Sequence, residues 1–198
     1  VQRGGPSTGL PTKPEQSDLL FSMYGRHGEA PLPVIAAKSP SHAFYAAFEA
    51  TRIALKYMTP VILLSDNYVA TGSEPWQLPD LDDLDEISTN KTTTYNTDEG
   101  FLPFLRDVKT FARPWAIPGT PGLEHRVGGL EKEDGTGNVS YDSANHQYMT
   151  DMRAWKIENI ANDIDDLELH GDTSSDTLVL GWGSTYGAIR SAVELAIE

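Results

Sequence analysis

The residues best equipped for chemistry stand at the start of the chain, in the run QRGGPSTGLPTKPEQSDL from Gln2 to Leu19. Arg3 carries a planar guanidinium fork that matches a carboxylate or a phosphate. Gly4 and Gly5 beside it let a backbone approach a ligand closely, and successive N–H groups in such a loop can hold an anion. Read on their chemistry alone, the same residues also make an ordinary structural turn with a surface arginine, because glycine-rich turns are common. A second glycine-rich run, Gly181-Trp182-Gly183-Ser184-Thr185-Tyr186-Gly187, opens a helix and invites comparison with a dinucleotide-binding turn. Its spacing is GxGxxxG, one residue too long, and no strand ending in an acidic residue follows it.

The elements that must position these groups read as α/β. Thr12 and Glu15 form a capping-box pattern with Pro14 in the first turn, which predicts a helix from about 13 to 24 with Leu19, Leu20, Met23 and Tyr24 on its apolar face. Pro33 to Ala37 reads as a short buried strand. Ser39-Pro40 is a helix start, Ser as cap and Pro in the first turn, and the helix it opens runs to about 58 with apolar residues on more than one side. Thr59-Pro60 ends it, and Val61 to Ser65 is a second buried strand. Two continuous apolar strands joined by a helix predict a parallel pair with a right-handed crossover. From about 79 to 141 the chain is rich in Gly, Pro, Thr and Asp and has little periodicity, the texture of a functional loop or a linker. A helix follows from Asp142 or Ser143 to about 162, with Met149, Met152, Ile157 and Ile160 on one stripe. Asp176 to Leu180 then reads as a strand, 181 to 185 as a tight turn and Tyr186 to Ile197 as an amphipathic helix.

Composition narrows the function classes. The 15 basic and 29 acidic residues leave a net charge of −14, which repels nucleic acid and anionic lipid. Cysteine is absent, so the chain forms no disulfide, carries no iron–sulfur ligand and has no Cys nucleophile; a cytoplasmic setting is expected. No apolar run approaches the roughly 20 residues that cross a bilayer, and the polar start VQRGGPSTG carries no signal-peptide pattern. The acidic runs Asp80 to Glu86 and Asp163 to Glu168 lack the spacing of a calcium loop; they read as solvated faces, and no metal site is expected. The chain opens without Met directly into the glycine-rich loop and ends in what reads as the first helix of a new unit. A segment of a longer protein is the expectation.

The opening run resembles the alpha-subunit signature of 2-oxoacid:ferredoxin oxidoreductases, especially the 2-oxoglutarate branch. Further matches follow in order: GRHGEAPLPVIAAKSPSHAFYAAFEATRIALKYMTPVILLSDNYVATGSEPW, then PGLEHRVGGLEKEDGTGNVSY, then VLGWGSTYGAIRSAVE. Together they cover nearly the whole chain, and several long ordered matches are far more specific than one short pattern. The resemblance implies a thiamine-diphosphate-type pyrimidine-binding domain, a parallel sheet with flanking helices incomplete at its start, in residues 1–78. A connecting segment with an active-site loop and a helix follows in 79–165. The beginning of a transketolase C-terminal-like α/β domain occupies 166–198.

The same resemblance implies CoA-dependent oxidative decarboxylation of a 2-oxoacid, with 2-oxoglutarate going to succinyl-CoA and electrons to ferredoxin. Thiamine diphosphate and magnesium would be shared with a beta subunit that carries the iron–sulfur cluster, and gamma and delta subunits would be further partners. Ferredoxin would dock through the partner subunit. Arg3 matches the arginine expected to pair with the substrate carboxylate, with Gly4, Gly5, Pro6, Ser7 and Thr8 shaping the wall around it. Gly122, Leu123, Glu124, His125 and Arg126 match a loop thought to influence which 2-oxoacid fits. Arg126 would suit the distal carboxylate of 2-oxoglutarate, and His125 could act as a donor or acid near pH 7. A solvated charge and a structural loop histidine are the plainer readings of the pair. The exit GSEPW is expected to pack Trp76 at a domain edge. The family's substrate and cofactor loop and its aminopyrimidine-activating glutamate should precede Val1, so this chain alone is expected to be inactive. Pyruvate or a branched-chain 2-oxoacid is the alternative substrate, and a non-catalytic phosphate-binding or assembly module the alternative of another class.

Overall fold

The computed structural model describes residues 1–7 and 9–197. Val34–Ala36 (β1) and Ile62–Leu64 (β2) pair in parallel, with Val34 opposite Ile62 and Ala36 opposite Leu64. A parallel pair needs a long connection, and His42–Tyr57 (α2) supplies it. The Ser39 hydroxyl accepts the His42 N–H at 3.3 Å, but regular helix sets in only at His42, with Ser41 at the cap position and no side-chain cap bond, so the start falls two residues later than expected. Helix α2 buries Ala46, Ile53 and Tyr57 along one stripe and leaves Phe44 and Tyr45 exposed. It is therefore one-sided, not enclosed as its composition suggested.

Two small apolar clusters hold this unit. Ile53, Tyr57 and Ile160 pack with Val61 and Ile157, and Ala37, Ala46 and Val69 pack with Ala43 and Leu63; Ile35 of β1 touches both. Ile53 is fully buried, which contributes roughly 1.5–3 kcal/mol. The last carbonyls of a helix lack intrahelical partners, and distant side chains serve two of them here. The Trp115 indole N–H donates to Leu55 O at 3.0 Å and Lys156 Nζ to Met58 O at 3.0 Å.

Ser17–Tyr24 (α1) begins about four residues later than predicted. Thr12 has a positive φ of 56° and its hydroxyl donates to Pro11 O, so the expected capping box does not form. Glu15 instead accepts from the Ser17 hydroxyl. Leu20, Phe21 and Tyr24 of α1 stand exposed. A short helix, Asn67–Thr71 (α3), follows β2 and is capped by Asp66, whose Oδ1 accepts the Val69 N–H at 2.9 Å.

Residues 79–141 are irregular, as expected. Their regular pairing is Lys91–Thr92 (β3) in parallel with Trp115–Ala116 (β4). Side chains close the remaining turns. Asn96 brackets Leu102 with its amide oxygen and nitrogen, both at 2.8 Å, and Asp107 Oδ1 accepts from the backbone of Lys109 and Thr110. Ser143–Asn159 (α4) then runs from an Asp142 cap into a 3-10 turn at Ile160–Asp163. The expected stripe is present: Met149, Met152 and Ile160 are buried. Asp163, read as part of a solvated run, binds Arg52 Nη1 at 2.8 Å and Lys56 Nζ at 2.7 Å and so fastens α4 to α2.

The strand expected over Asp176–Leu180 does not form. Leu178 and Leu180 are 76% and 84% exposed, and without a neighbouring strand an apolar run has nothing to pair with. A 3-10 turn at Gly183–Thr185 leads into Tyr186–Ile197 (α5). No helix among the described residues is long and apolar enough to cross a membrane.

Candidate functional site

Gln2 fixes the start of the site. Its N–H donates to Ser65 O at 2.5 Å and it bridges Asp66 in parallel, so it adds a one-residue strand beside the carboxyl end of β2. Its side-chain amide donates to Glu15 O at 3.2 Å and Gln16 Oε1 at 2.9 Å, and the residue is 3% exposed. Arg3 follows at once and is exposed. It leaves the sheet at the carboxyl edge, where open α/β sheets bind their ligands.

The loop beyond Arg3 is closed on itself. Gly4 N–H donates to Lys13 O at 2.5 Å, Gly4 O accepts the Leu10 N–H at 2.7 Å, and Gly9 N–H donates to Pro6 O at 2.9 Å. A Cβ at Gly9, where φ is +64°, would lie 1.6 Å from Gly4 O, so the loop tolerates only glycine there. With the Gly4 and Gly9 N–H groups committed inside the loop, the anion-holding row of amides anticipated from the sequence is reduced. The Arg3 guanidinium stands beside this loop, with a fork whose geometry suits a carboxylate or phosphate. Gly5 and Ser7 are exposed beside it. Thr8 lies outside the described residues.

Asp66 was not singled out from the sequence, yet it organises this edge. It is 7% exposed. One carboxylate oxygen caps α3 and the other accepts from the Ser184 hydroxyl, while its backbone neighbours Gln2. The Gly183–Thr185 turn therefore sits against the carboxyl ends of the strands; a Cβ at Gly183 would lie 3.7 Å from Ala37 O. Lys38 Nζ lies 4.5 Å from the Tyr186 ring centroid, and Lys38 N–H donates to His42 Nδ1 at 3.2 Å. Burial, and then the Lys38 charge, push the His42 pKa below its ordinary value. The signal in the sequence was Ser-Asp-Asn between a buried strand and a helix, a helix-cap pattern.

The 122–126 loop is built separately. Leu123 is buried and its N–H donates to Thr120 O at 3.2 Å. Gly122 has a φ of +81°, and a Cβ there would lie 2.5 Å from the Tyr95 hydroxyl. His125 Nδ1 is bonded to Leu123 O at 2.8 Å, and its ring lies 5.6 Å from that of Phe101. Glu124 and Arg126 are exposed. The bonds described for each loop are local to it, and they do not draw Arg126 toward Arg3. Trp76 packs on Phe44 with centroids 5.5 Å apart, and Glu74 accepts the Ser41 N–H at 2.5 Å.

Residues 1–143 match the family model for pyruvate flavodoxin/ferredoxin oxidoreductase, thiamine diphosphate-binding. The chain is 53% identical over 197 residues to the 2-oxoglutarate oxidoreductase subunit KorA of Mycobacterium tuberculosis, covering 99% of this chain and 29% of that protein. It is 34% identical over 196 residues to 2-oxoacid:ferredoxin oxidoreductase 1, subunit alpha, of Aeropyrum pernix, covering 98% and 30%. Among solved structures, a 2-oxoglutarate:ferredoxin oxidoreductase from Magnetococcus marinus, with 2-oxoglutarate, coenzyme A and succinyl-CoA bound, matches with a TM-score of 0.80 and 32% identity over 98% of this chain and 33% of that one. The chain thus spans less than a third of the length of the two curated relatives. Its α/β core with paired parallel strands and the match over residues 1–143 agree: the chain belongs to the pyruvate flavodoxin/ferredoxin oxidoreductase family, in the stretch that forms its thiamine diphosphate-binding domain.

Proposed function

We propose that this chain is an alpha-subunit segment of a thiamine-diphosphate-dependent 2-oxoglutarate:ferredoxin oxidoreductase, which converts 2-oxoglutarate and CoA to succinyl-CoA and carbon dioxide. The observation that carries this reading is Arg3, exposed on a self-closed loop that Gln2 anchors to the carboxyl end of β2. The names of the relatives support the substrate class. Among the described residues no three His, Asp or Glu side chains come together to hold a metal, and there is no cysteine. In this reading the magnesium-bound diphosphate end of the cofactor and the iron–sulfur cluster, whose cysteine ligands this chain lacks, are both assigned to a beta subunit. Further small subunits, a cytoplasmic setting and docking of ferredoxin on the partner belong to the same reading.

What this chain contributes is binding and orientation. The Arg3 fork receives the C1 carboxylate in a bidentate pair, with Gly5 and Ser7 as the neighbouring wall. Fixing the carboxylate turns the 2-oxo carbon in one direction, and such alignment is a large part of catalysis. Arg126, with Glu124 and His125 beside it, meets the distal carboxylate of 2-oxoglutarate. Residues 1–78 form the pyrimidine-binding unit, 79–165 the connecting segment and 166–198 the start of the next domain. The Ser184–Asp66 bond ties the third to the first.

The test is the intact alpha subunit produced anaerobically with its partner, assayed for CoA-dependent dye reduction with 2-oxoglutarate, pyruvate and a branched-chain 2-oxoacid. Preference for 2-oxoglutarate is expected, with Arg126→Ala shifting the preference toward pyruvate. An unchanged preference in that variant removes Arg126 from the site. No turnover in a cofactor-loaded complex removes the reading itself.

A further inference from the structure

In a chain of net charge −14, four cations gather where the connecting segment meets α4: Arg106, Arg113, Arg153 and Lys156. Arg153 pairs with Glu29. Among the described residues, no carboxylate lies within ion-pair distance of the other three. Each is held by a single backbone carbonyl: Arg106 Nη1 donates to Phe111 O at 3.0 Å, Arg113 Nη1 to Pro103 O at 3.1 Å, and Lys156 Nζ to Met58 O at 3.0 Å. Arg113 also lies 4.0 Å from the Phe104 ring centroid. Arg106 Nε is buried with no hydrogen-bond partner.

The three charges feel one another. Burial, and then the charges of Arg106, Arg113 and Arg153, together bring Lys156 down to about 8. Burial, then Arg106, pushes Arg113 down to about 10. Arg106 is lowered by burial and by Arg153, against an opposing pull from Asp134. A half-buried cation without a counter-charge is costly, and here three stand near one another. Carbonyls from Met58, Pro103 and Phe111 supply dipoles but no charge. Guanidinium forks beside an ammonium are the groups that hold tetrahedral or planar oxyanions, and among the described residues each of the three side chains has one hydrogen-bond acceptor. Phe111, whose carbonyl holds Arg106, also lines a shallow cleft of about 300 Å³ with Trp155, Asn159 and Glu158. Glu158 is the one carboxylate in that lining and opposes an anion on its side.

We propose that Arg106, Arg113 and Lys156 form a binding site for a small doubly charged oxyanion, distinct from the Arg3 loop. The anion supplies the missing counter-charge, takes the Arg106 Nε donor and braces the connecting segment against α4. Phosphate and a free dicarboxylate share this chemistry, and separate titrations tell them apart.

The experiment uses the intact protein with its partner subunits, melted in chloride buffer at constant ionic strength while phosphate, sulfate or succinate is titrated. The wild type is compared with Lys156→Gln, Arg113→Gln and the exposed control Arg190→Gln. The expected result is a saturable rise in Tm with at least one of the anions in the wild type and control. Half-saturation is weakened at least tenfold in Lys156→Gln and Arg113→Gln, and Lys156→Gln melts higher than the wild type when no such anion is present. Equilibrium dialysis of the same anion on the wild type gives the binding directly and does not depend on the folding of any variant. Absence of binding overturns the proposal, including the case in which a partner's carboxylate already fills the place. An equal response in all four proteins also overturns it.

Discussion

Arg3 and Lys156 mark two different uses of a cation. Arg3 is exposed, and the proposed reading gives it the substrate carboxylate. Arg3→Ala is expected to lower kcat/KM for the 2-oxoacid on the order of 100-fold, within the about 2–5 kcal/mol that truncating one side of a hydrogen-bonded charge pair costs. Arg3→Lys keeps the charge, loses the fork and recovers only part of it. Steady-state kinetics of the intact complex decide this; equal rates would remove Arg3 from the substrate site. Lys156 is half-buried, with Arg106, Arg113 and Arg153 near it, and its pKa falls from 10.5 to about 8. Between those values the unfolded chain keeps a proton that the folded chain has lost, so this group makes stability rise with pH from about 8 to about 10.5. In chloride buffer free of polyvalent anions, Lys156→Met should be more stable than the wild type near pH 7. The gap should close as pH rises, and denaturant melts across that range would show it widening if the assignment is wrong. The closed loop that carries Arg3 was legible in the sequence because its signal is local: an arginine beside two glycines. Lys156 was not, because its environment is set by Met58, Arg106 and Arg113 from far along the chain.

At the scale of elements, the link between α2 and α4 decides how firmly the parallel pair is held. Asp163 takes Arg52 and Lys56 at once. Burial raises its pKa, but the bonds from Lys56 and Arg52 outweigh that and hold it below 3.8. Its contribution is therefore present at neutral pH and is lost as pH falls through that depressed value. Asp163→Asn is expected to cost about 1.5–3 kcal/mol, the range for a hydrogen bond to a charged group, measured by chemical denaturation at pH 7. The difference from the wild type should shrink in acid; a loss that persisted unchanged there would point to packing instead. The sequence made the strands, α2 and α4 legible because caps and apolar stripes act within one turn. It misread Asp163 as solvated because its partners lie more than a hundred residues upstream. The strand expected over 176–180 shows the converse: an apolar run states a preference, and only a neighbour turns it into a strand. The late start of α1 came from Thr12, whose positive φ no capping pattern foretells.

Across the whole molecule the dominant quantity is the charge of −14. Ferredoxins are acidic in this reading, so like charge would oppose their docking here. Crosslinking of ferredoxin to the intact complex is expected to label the partner subunit and spare this chain; predominant labelling of this chain would reverse the assignment. The fold class was legible at this scale from two apolar strands and one helix. The joining of the Gly183–Thr185 turn to the sheet through Ser184 and Asp66 was not, because no periodicity encodes a contact between residues 118 positions apart.

The apolar face of α1 has a consequence for handling. Leu20, Phe21 and Tyr24 turn outward together, and in dilute buffer the molecules keep their distance because each repels the next. Added salt shortens the reach of that repulsion to about 8 Å at physiological strength. The side chains of α1 can then find one another, so clouding of an isolated preparation should grow as salt is raised rather than lowered.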